Sequence, residues 1–472
     1  MESPVVTSAE MRAAEEAAFA RGVSAESLMD EAARGIARTV EKFFPRPGRC
    51  IVFAGKGNNS GDAFAAANLL GKKGWQIESR LAFPEKELGK LAAKKFKQLS
   101  ARLTHTGRPT IILDGLLGLG AKPPLRDPIL SACREINRLR REENAFVFAI
   151  DFPSGLGDND SVVADFTITI GAAKSELLAD DAINLIGRLE VVSLVALSLP
   201  NKSREIVTTG ADFPRRNFNA YKNQFGRVGV LAGSKGLTGA AILCSLGALR
   251  AGAGLVELFV PEEIYPVVAS HAAPEAMVKP IASYKSLLDQ PVDVWAIGPG
   301  LGRKHAGEIL KLIRKAKQPI VIDADGLNIL AENMSAVSNF GGPRLLTPHP
   351  GEMKRLAPKL KGTRAEIAQK FCAKYNATLL LKGSRTIVAE RGRALSYNST
   401  GNPGMATGGM GDVLTGVCAA LIGQKLSPYD AARLGAWLCG RAAEIAMFNG
   451  GESEQSLLPS DLLANLGRAF RS

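Results

Sequence analysis

The sequence predicts an α/β protein made of two three-layer α/β/α domains, and three observations support this. Its 472 residues are about three times the usual size of one domain. Hydrophobic residues make up 46% of the chain, only 6% is aromatic, and 49 residues are glycine, which suits large cores joined by many tight turns. Short apolar segments alternate with helical patterns, and this alternation favours parallel sheets with helices on both faces.

The N-terminal half starts with a predicted amphipathic helix, because Thr7 and Glu10 have the spacing of a capping box. Apolar strand patterns and helical patterns then follow one another along the chain. They are CIVFAG and DAFAAANLLGKKG, IESRLAF and a basic helix, TIILDG and ILSACREINRLRREE, and the strands AFVFAID and ADFTITIG.

The C-terminal half repeats this pattern from Gly226 onward. Its predicted strands are GRVGVLAG, LVELFVP, DVWAIG, PIVIDADG, RLLTPHP and TLLLKG, before a largely helical end. Between the halves, residues 200–225 are polar and weakly periodic. We therefore predict two domains, 1–210 and 211–472. Both halves alternate strand and helix patterns, but no sequence repeat relates their residues. The sequence therefore does not support an origin of the two domains by duplication.

The net charge of +13 is spread along the chain. The densest basic cluster, Lys90 to Arg102, has helical spacing and is typical of a solvated helix face. We link the excess charge to small anionic ligands and expect no nucleic-acid partner.

The six cysteines show no CxxC spacing and have mostly apolar neighbours, as reduced core cysteines of a cytosolic protein do. The first residues carry acids where a signal peptide needs an apolar core. No apolar run approaches the ~18 residues of a membrane span. We expect a cytoplasmic protein with no membrane partner.

A glycine-rich stretch, NPGMATGGMGDVLTG, contains one acid, Asp412. One interpretation is a tight turn with Asp412 as the N-cap of the next helix. In the other, Gly408, Gly409 and Gly411 leave backbone N–H groups free at the positive end of the helix dipole, where phosphoryl oxygens bind. An acid there would accept a proton from a substrate hydroxyl as its oxygen attacks phosphorus.

This stretch resembles the C-terminal signature of the ADP/ATP-dependent NAD(P)H-hydrate dehydratases, a branch of the ribokinase-like fold. Further motifs follow in the family's order and, with the signature, cover most of Gly226–Phe470. They are GSKGLTGAAILCSLGALRAGAGLV, AIGPGLG, VIDADGLN, LLTPHPGEM and LLKGSRT. Six separated motifs in order are a specific match.

The resemblance implies that Asp412 faces the substrate hydroxyl. It also implies two sets of binding residues. The hydrated nicotinamide nucleotide would contact Ala240, Gly302, His349 and Asp412, and the adenine nucleotide would contact Lys382, Gly383, Ser384, Arg385, Thr386 and Gly411.

The implied reaction is the repair of hydrated NADH and NADPH. Asp412 would deprotonate the ring hydroxyl of the S-hydrate, ADP would phosphorylate the oxygen, and phosphate would leave. Mg²⁺ is expected on the nucleotide phosphates, because phosphoryl transfer needs their charge neutralised. The choice of ADP over ATP rests on the resemblance to bacterial members.

In the N-terminal half, VFAGKGNNSGDAFAAANLL places a glycine-rich turn between a strand and a helix. Its N–H groups and the Asn58 and Asn59 amides suit a phosphate or ribose, although a plain turn is the alternative. Asp114, Asp151 and Ser154 follow two other strands. Parallel strands present their carboxyl ends on one side of a sheet, so we expect these groups to converge with Asn59.

These motifs resemble the Rossmann-like NAD(P)H-hydrate epimerase domain, which interconverts R- and S-hydrates, over roughly Ser8–Leu197. The resemblance implies a K⁺ site at Asn59, Asp114 and Ser154, and hard oxygen donors suit this cation. Asp151 is the candidate general acid/base, with Asp114 second. The implied hydrate contacts are Asn58, Asn59, Ser60, Gly61, Asp62, Gly118, Leu119, Gly120, Ala121, Lys122 and Asp151.

The N-terminal match departs from the family's pattern at several positions. The usual GNNGGDG is GNNSGDA here, with Ser60 and Ala63 in place of glycines, LMENAG is LMDEAA, and GTG is GLG at 118–120. The frequent His-Lys before the second domain is Tyr221-Lys222. Leu119 removes a hydroxyl from the ligand loop, and Ala63 adds a methyl where backbone approaches ligand.

Two alternatives stay open at this stage. In the first alternative, the second domain is a ribokinase-like kinase for a thiamine precursor or a sugar, since such kinases share the fold and the catalytic Asp. In the second alternative, the first domain is a noncatalytic nucleotide-binding module. Family resemblance also implies a homo-oligomer.

Overall fold

The structure is a computed structural model that describes residues 1–99, 109–121, 123–200, 203–210, 213, 215–335 and 340–472. Contacts divide the chain into two compact units, Glu2–Thr209 and Gly210–Ser472 together with Met1. Each unit is described by itself.

The N-terminal unit contains short strands separated by helices. Its strands are β1 (Glu2–Val6), β2 (Arg49–Ala54), β3 (Gln76–Leu81), β4 (Thr110–Gly115), β5 (Phe146–Ile150), β6 (Phe166–Ile170), β7 (Ala173–Lys174), β8 (Arg188–Val192) and β9 (Glu205–Thr208). Its helices are α1 (Ser8–Ala20), α2 (Ala25–Phe43), α3 (Asn58–Lys72), α4 (Lys90–Lys97), α5 (Ile129–Glu142) and α6 (Ile183–Ile186).

The main sheet of this unit has the strand order β3-β2-β4-β5-β6-β8, and all neighbouring pairs are parallel. The chain runs from β2 outward to β3 and then returns to β4 on the other side of β2. This reversal creates a switch point between β2 and β4, where doubly wound sheets open a ligand crevice beyond the strand ends.

Helices cover both faces of this sheet. On one face, Ile51, Ile112 and Val147 pack with α5 residues such as Cys133 and Ile136. On the other face lies an aromatic cluster, in which Phe148 stacks on Phe166 with ring centroids 4.5 Å apart and Phe43 of α2 contacts Phe166 at 4.6 Å. The alternation of strand side chains between two buried faces confirms the predicted three-layer arrangement.

The C-terminal unit follows the same alternation. Its strands are β10 (Arg227–Leu231), β11 (Leu255–Pro261), β12 (Ala276–Ile281), β13 (Val294–Ile297), β14 (Ile320–Ile322), β15 (Arg344–Leu346), β16 (Thr378–Leu381), β17 (Ile387–Ala389) and β18 (Leu395–Asn398). Its helices are α7 (Thr238–Arg250), α8 (Tyr265–His271), α9 (Ala306–Lys315), α10 (Ala324–Ala331), α11 (Pro350–Leu356), α12 (Arg364–Lys374), α13 (Met410–Gly423), α14 (Pro428–Gly450) and α15 (Pro459–Ala469).

The strand order in this unit is β12-β11-β10-β13-β14-β15-β16-β17-β18. The pairs from β12 to β16 are parallel, and the switch point lies between β10 and β13. The last three strands pair antiparallel. Strands β17 and β18 were not predicted from the sequence, and they pair antiparallel because β16, β17 and β18 are joined by short turns rather than helices.

One face of this sheet packs Val228, Val256 and Val294 against α7, α13, α14 and α15. Strand residues that point to the opposite face, such as Leu231, Trp295 and Ile320, are also buried. The sheet is thus covered on both faces, and the α/β class predicted for this half is confirmed as well.

Several predicted features have direct counterparts. Thr7 and Glu10 form the predicted capping box at the start of α1, and all six cysteines are buried and free. Residues 100–102 of the predicted basic helix lie outside the described residues, and α4 covers Lys90–Lys97.

Some short strands, such as β9, were not predicted from the sequence. β9 lies inside the polar interval 200–225, where the sequence predicts the domain boundary, and it pairs antiparallel with β1. Four residues are too few for an alternating pattern to stand out, so this pairing depends on a partner distant in sequence. Among the described residues, no helix combines the length and apolarity that a bilayer crossing requires.

Two helices that carry predicted site residues, α7 and α13, approach through glycines. A Cβ at Gly416 of α13 would lie 2.0 Å from the carbonyl oxygen of Cys244. A Cβ at Gly247 of α7 would lie 2.6 Å from the carbonyl oxygen of Val413. Real Cβ atoms do not approach backbone so closely, so the two glycines set the spacing of the helices.

We predict that Gly416→Ala lowers the free energy of unfolding by about 1–3 kcal/mol, because the added methyl overpacks the interface between α7 and α13. The measurement is urea unfolding followed by circular dichroism. Gly467→Ala in α15 is the matched control, since nothing lies within 4 Å of a Cβ at that position. Equal unfolding midpoints for the two variants would contradict the close helix contact.

Candidate functional site

In the N-terminal unit, a cavity of about 660 Å³ opens at the carboxyl ends of the parallel strands. Its wall includes Asn58 and Asn59, which are the first residues of α3 after Gly57, and the loop after β4. Both segments flank the β2–β4 switch point. The strand order therefore explains why the cavity forms here.

Most of the predicted hydrate contacts line this cavity. They are Asn58, Asn59, Asp62, Gly118, Leu119, Ala121 and Asp151. Three others do not appear on its wall. Ser60 is fully buried and donates a hydrogen bond to the Gly115 carbonyl at 2.9 Å, Gly61 packs against Met29, and Gly120 lies against the guanidinium of Arg12. Lys122 lies outside the described residues.

The three residues predicted to hold K⁺ meet around Leu117. The Asn59 amide nitrogen donates to the Leu117 carbonyl at 2.8 Å, and the Ser154 hydroxyl accepts from the Leu117 amide at 2.9 Å. Ser154 donates to Asp114 through its hydroxyl at 2.7 Å and its amide at 2.8 Å. Burial raises the pKa of Asp114 to about 6, against the hydrogen bonds from Ser154 that lower it.

Asp151 follows β5 in a left-handed backbone conformation with φ of 63°, a strained geometry for a residue with a side chain. Its carboxylate forms an ion pair with Lys174, whose side chain is only 1% exposed. Two more acids, Asp62 and Glu15, line the same cavity. The pKa of Asp62 is raised well above its ordinary value by burial and by the charges of Asp151 and Glu15.

In the C-terminal unit, the loop after β13 carries Gly298, Gly300 and Gly302 in left-handed conformations. The Ser234 hydroxyl, after β10, donates to the Gly300 carbonyl at 2.8 Å and so ties the two sides of the switch point together. A Cβ at Gly300 would lie 2.9 Å from the Cβ of Ala240. The predicted substrate residues Ala240 and Gly302 are therefore on neighbouring segments.

Asp412 lies in the first turn of α13, and the N-cap is Gly409 with φ of 93°. The simpler interpretation of Asp412 as the N-cap is therefore wrong, because the left-handed glycine starts the helix three residues earlier. Gly411, expected just before the helix, is inside it. Burial first, then repulsion from Asp323, raises the pKa of Asp412 to about 7, and Lys382 lowers it.

Asp323 and Lys382 form an ion pair beside Gly411, in which Asp323 is buried and Lys382 is partly exposed. Lys382 donates to Oδ1 of Asp323 at 2.7 Å, and the Thr415 hydroxyl donates to Oδ2 at 2.9 Å. A Cβ at Gly411 would lie 3.3 Å from the Lys382 ammonium. The structure thus brings Lys382 and Gly411, both predicted to bind the adenine nucleotide, next to Asp412.

The remaining predicted residues lie on two loops. Gly383, Ser384, Arg385 and Thr386 form the turn between β16 and β17, where Arg385 has φ of 52° and Thr386 donates to the Gly383 carbonyl at 3.0 Å. His349 is the N-cap of α11, with Nδ1 accepting from Gly351 at 3.0 Å and a side chain 51% exposed. It lies in the short segment between β15 and α11, outside the core.

Several residues at these sites were not predicted from the sequence. Arg12, Glu15 and Phe19 line the N-terminal cavity, and their spacing of three and four along α1 was a usable signal, because it places them on one helix face. Asp323 belongs to the VIDADG motif and lies directly after β14, but no role was predicted for it from the sequence. Lys174 had no sequence signal, since its partner Asp151 is 23 residues away.

Comparison with protein families matches both halves of the chain. Residues 228–466 match the NAD(P)H-hydrate dehydratase family, and residues 25–176 match the family described as the YjeF-related protein N-terminus. The matched segments include all the predicted site residues, whereas Arg12, Glu15 and Phe19 of the N-terminal cavity precede the segment 25–176.

Curated relatives match nearly the whole chain. The bifunctional NAD(P)H-hydrate repair enzyme Nnr of Moorella thermoacetica is 35% identical, over 94% of this chain and 92% of the relative. The enzyme of the same name from Escherichia coli is 34% identical, over 97% and 92%. A solved ADP/ATP-dependent NAD(P)H-hydrate dehydratase from Bacillus subtilis, co-crystallised with ATP/Mg²⁺, is 30% identical and covers 55% of this chain and 94% of its own, with a TM-score of 0.48.

The two mainly parallel sheets, with acidic side chains at the carboxyl ends of their strands, define an α/β enzyme. The sequence identity to relatives that match nearly the whole chain narrows this class to one family. The chain belongs to the family of bifunctional NAD(P)H-hydrate repair enzymes.

Burial of Asp412 predicts a pH-dependent gain in stability for Asp412→Asn. The ordinary pKa of 3.8 applies to the unfolded chain and about 7 to the folded one, so folding of the wild type is progressively opposed as pH rises between these values. The amide carries no charge and avoids this loss. The unfolding free energy of the variant minus that of the wild type should grow from pH 4 and level off above about pH 7.

Urea unfolding at closely spaced pH values measures this difference, with wild type and variant compared at each pH. The values at the lowest pH, well below the ordinary pKa of 3.8, are the internal control, because the carboxyl is largely protonated in both states there. Parallel stability curves across the range would mean that Asp412 is not desolvated.

Proposed function

We propose that this protein restores NADH and NADPH from their hydrated forms. The C-terminal domain, 211–472, dehydrates the S-hydrate and converts ADP to AMP and phosphate. The N-terminal domain, 1–210, interconverts the R- and S-hydrates so that both become repairable. The observation that carries this proposal is the position of Asp412, in the first turn of α13 beside the Asp323–Lys382 pair, in a chain whose two halves match the two parts of the repair-enzyme family.

In the dehydratase step, Asp412 accepts the proton of the ring hydroxyl while that oxygen attacks the terminal phosphorus of ADP. AMP leaves, and the hydroxyl has become a phosphate ester, which is a far better leaving group. Departure of phosphate and loss of a ring proton then restore the dihydronicotinamide. A base with a pKa of about 7 is well matched to this transfer near neutral pH.

The residues around Asp412 suit an adenine nucleotide. Gly411 and the first N–H groups of α13 offer donors to phosphoryl oxygens, and Lys382 adds a positive charge below them. The turn formed by Gly383, Ser384, Arg385 and Thr386 would hold the nucleoside part. Ala240, Gly302 and His349 would contact the hydrated dinucleotide.

Mg²⁺ would neutralise charge on the nucleotide phosphates during transfer. No group of three or more His, Cys, Asp or Glu side chains able to hold a metal occurs in the part of the chain that the structure describes. This fits an ion that is held mainly by substrate phosphates and water.

In the epimerase domain, Asp151 would act as the general acid/base on the hydrate in the cavity. Asn58, Asn59 and the loop at 118–121 would position the substrate. The predicted contacts at Ser60, Gly61, Gly120 and Lys122 stay proposals, since the first three do not line the cavity and Lys122 lies outside the described residues.

K⁺ fits the donor set around Leu117. Asp114, Ser154, Asn59 and the Leu117 carbonyl supply oxygen atoms, and the raised pKa of about 6 for Asp114 indicates a buried carboxyl that a cation would stabilise in its charged form. Bound there, K⁺ would supply positive charge that holds this loop together behind the cavity.

The deciding experiment gives the purified enzyme a mixture of R- and S-hydrates with ADP and Mg²⁺ and follows the return of dihydronicotinamide absorbance. Full recovery faster than spontaneous epimerisation supports both activities. A plateau after the S form is consumed would reduce the first domain to a binding module. A stable phosphorylated product would indicate the ribokinase-like kinase alternative, which the family membership does not favour.

We predict that Asp412→Asn lowers dehydratase kcat by about 10²–10⁴-fold, because the amide cannot accept the proton. In the wild type, the rate should rise with pH and reach a plateau above about 7, where the carboxyl is ionised. Absorbance assays with S-hydrate, ADP and Mg²⁺ across pH measure both effects. Interconversion of R- and S-hydrates by the same variant is the control and should be unchanged.

We predict that replacing K⁺ by tetramethylammonium slows hydrate interconversion and leaves dehydration of the S-hydrate unaffected. Ser154→Ala removes one oxygen donor and should raise the K⁺ concentration needed for half-maximal rate. Chiral chromatography of the hydrates measures the interconversion. An epimerase rate independent of K⁺ in the wild type would contradict the site.

Homo-oligomeric assembly and a cytoplasmic location stay predictions. Light scattering of the purified chain tests the first, and fractionation of cells tests the second.

A further inference from the structure

The carboxylate of Asp151 is held by one oxygen only. Oδ1 accepts from the Lys174 ammonium and from the Ile170 amide at 3.1 Å. The Thr169 hydroxyl also lies 3.3 Å from Oδ1, while reaching the Ala172 carbonyl at 3.2 Å. Within the described ranges, Oδ2 has no hydrogen-bond partner on the protein, and Asp151 lines the cavity.

Lys174 is fixed in turn by its own acceptors. Its side chain is 1% exposed, and besides Asp151 it donates to the Thr169 hydroxyl at 2.9 Å and to the Ile170 carbonyl at 2.6 Å. An ammonium has three N–H donors, so all of them are engaged by groups on or next to β6 and β5. No donor of Lys174 remains for a substrate.

The backbone adds a second constraint on Asp151. Its left-handed conformation, with φ of 63°, is a strained state that surrounding contacts must enforce. Lys174, Thr169 and Ile170 supply these contacts at the carboxylate. The carboxyl group therefore has one oxygen anchored to the β-sheet and one oxygen left for the cavity.

We propose that Lys174 is a positioning residue for hydrate interconversion, which anchors Oδ1 of Asp151 so that Oδ2 is the oxygen that exchanges a proton with the substrate. This inference rests on the proposed epimerase function and names the group through which Asp151 is oriented. Lys174 itself does not touch the substrate.

The other charged groups around Asp151 make this anchor necessary. Glu15 and Arg12 of α1 and Asp62 of α3 line the same cavity. Glu15 and Asp62 carry the same charge as Asp151 when ionised, and Arg12 is exposed at the cavity wall. Lys174 is the cation in direct contact with Asp151, so it opposes the repulsion from the two neighbouring acids.

The test measures interconversion of purified R-hydrate, with the chain's own dehydratase activity on S-hydrate as the control for intact protein. Lys174→Met should lower kcat by about 10²-fold or more while KM changes by less than about threefold, because the substrate loses no contact. An unchanged kcat, or a loss that appears only in KM, overturns the proposal.

Lys95→Met is the matched control. Lys95 is also a buried lysine, with a side chain 5% exposed, and it pairs with Glu26 at 3.1 Å and Asp30 at 2.7 Å. It does not line the cavity. This variant loses comparable ion pairs and should keep kcat. An equal loss of kcat in both lysine variants would mean that general destabilisation explains the effect.

The double variant Lys174→Met/Asp151→Asn separates positioning from an independent role. If Lys174 acts only through Asp151, the double variant should be no slower than Asp151→Asn alone, since residues that act as a unit are not additive. Multiplied losses would overturn the proposal.

Urea unfolding of the wild type, Lys174→Met, Asp151→Asn and the double variant distinguishes failure of this proposal from failure of the proposed epimerase function. Lys174→Met leaves a buried unpaired carboxylate and should unfold at lower urea than the double variant, in which the amide removes this charge. If the wild type fails to interconvert the hydrates, the epimerase function itself fails, and this unfolding comparison still decides whether Lys174 anchors Asp151. A double variant less stable than Lys174→Met would overturn the anchor.

Discussion

Burial of carboxylates is the constraint on which both sites depend. A buried, unpaired carboxylate costs several kcal/mol, so each must have a cation or several hydrogen-bond donors in a fixed place. Asp323 has Lys382 and the Thr415 hydroxyl, and Asp151 has Lys174 and the Ile170 amide. The partners come from elements distant in sequence, so the folded sheets and the charged sites form together.

The two units use a similar arrangement of charge. In each, a lysine–aspartate pair lies beside a further acid whose pKa is raised, Asp412 next to Asp323 and Lys382, and Asp62 next to Asp151 and Lys174. Neighbouring acids whose environments push their pKa values apart can divide the roles of proton acceptor and proton donor. The same physical arrangement therefore serves two different reactions in the proposed function.

Sheet topology explains where these groups meet. In both units the chain reverses its direction across the sheet, between β2 and β4 and between β10 and β13. Loops that follow the two central strands then diverge and leave a crevice. The tight helix contact through Gly247 and Gly416 completes the second site, because it holds the first turn of α13 against the segment that carries Ala240.

The α/β class, the two sheets, the capping box at Thr7 and the glycine loops could be predicted from the sequence, because they follow from local periodicity and turn chemistry. The sequence also placed Asp412, Asp114 and Asp151 at helix or strand ends. Three features became visible only in the folded chain: the antiparallel edge of the second sheet, the pairing of β9 with β1, and the contacts of Lys174 and Asp323. These depend on partners far apart in the chain, and local patterns carry no information about which distant charge will offset a buried one.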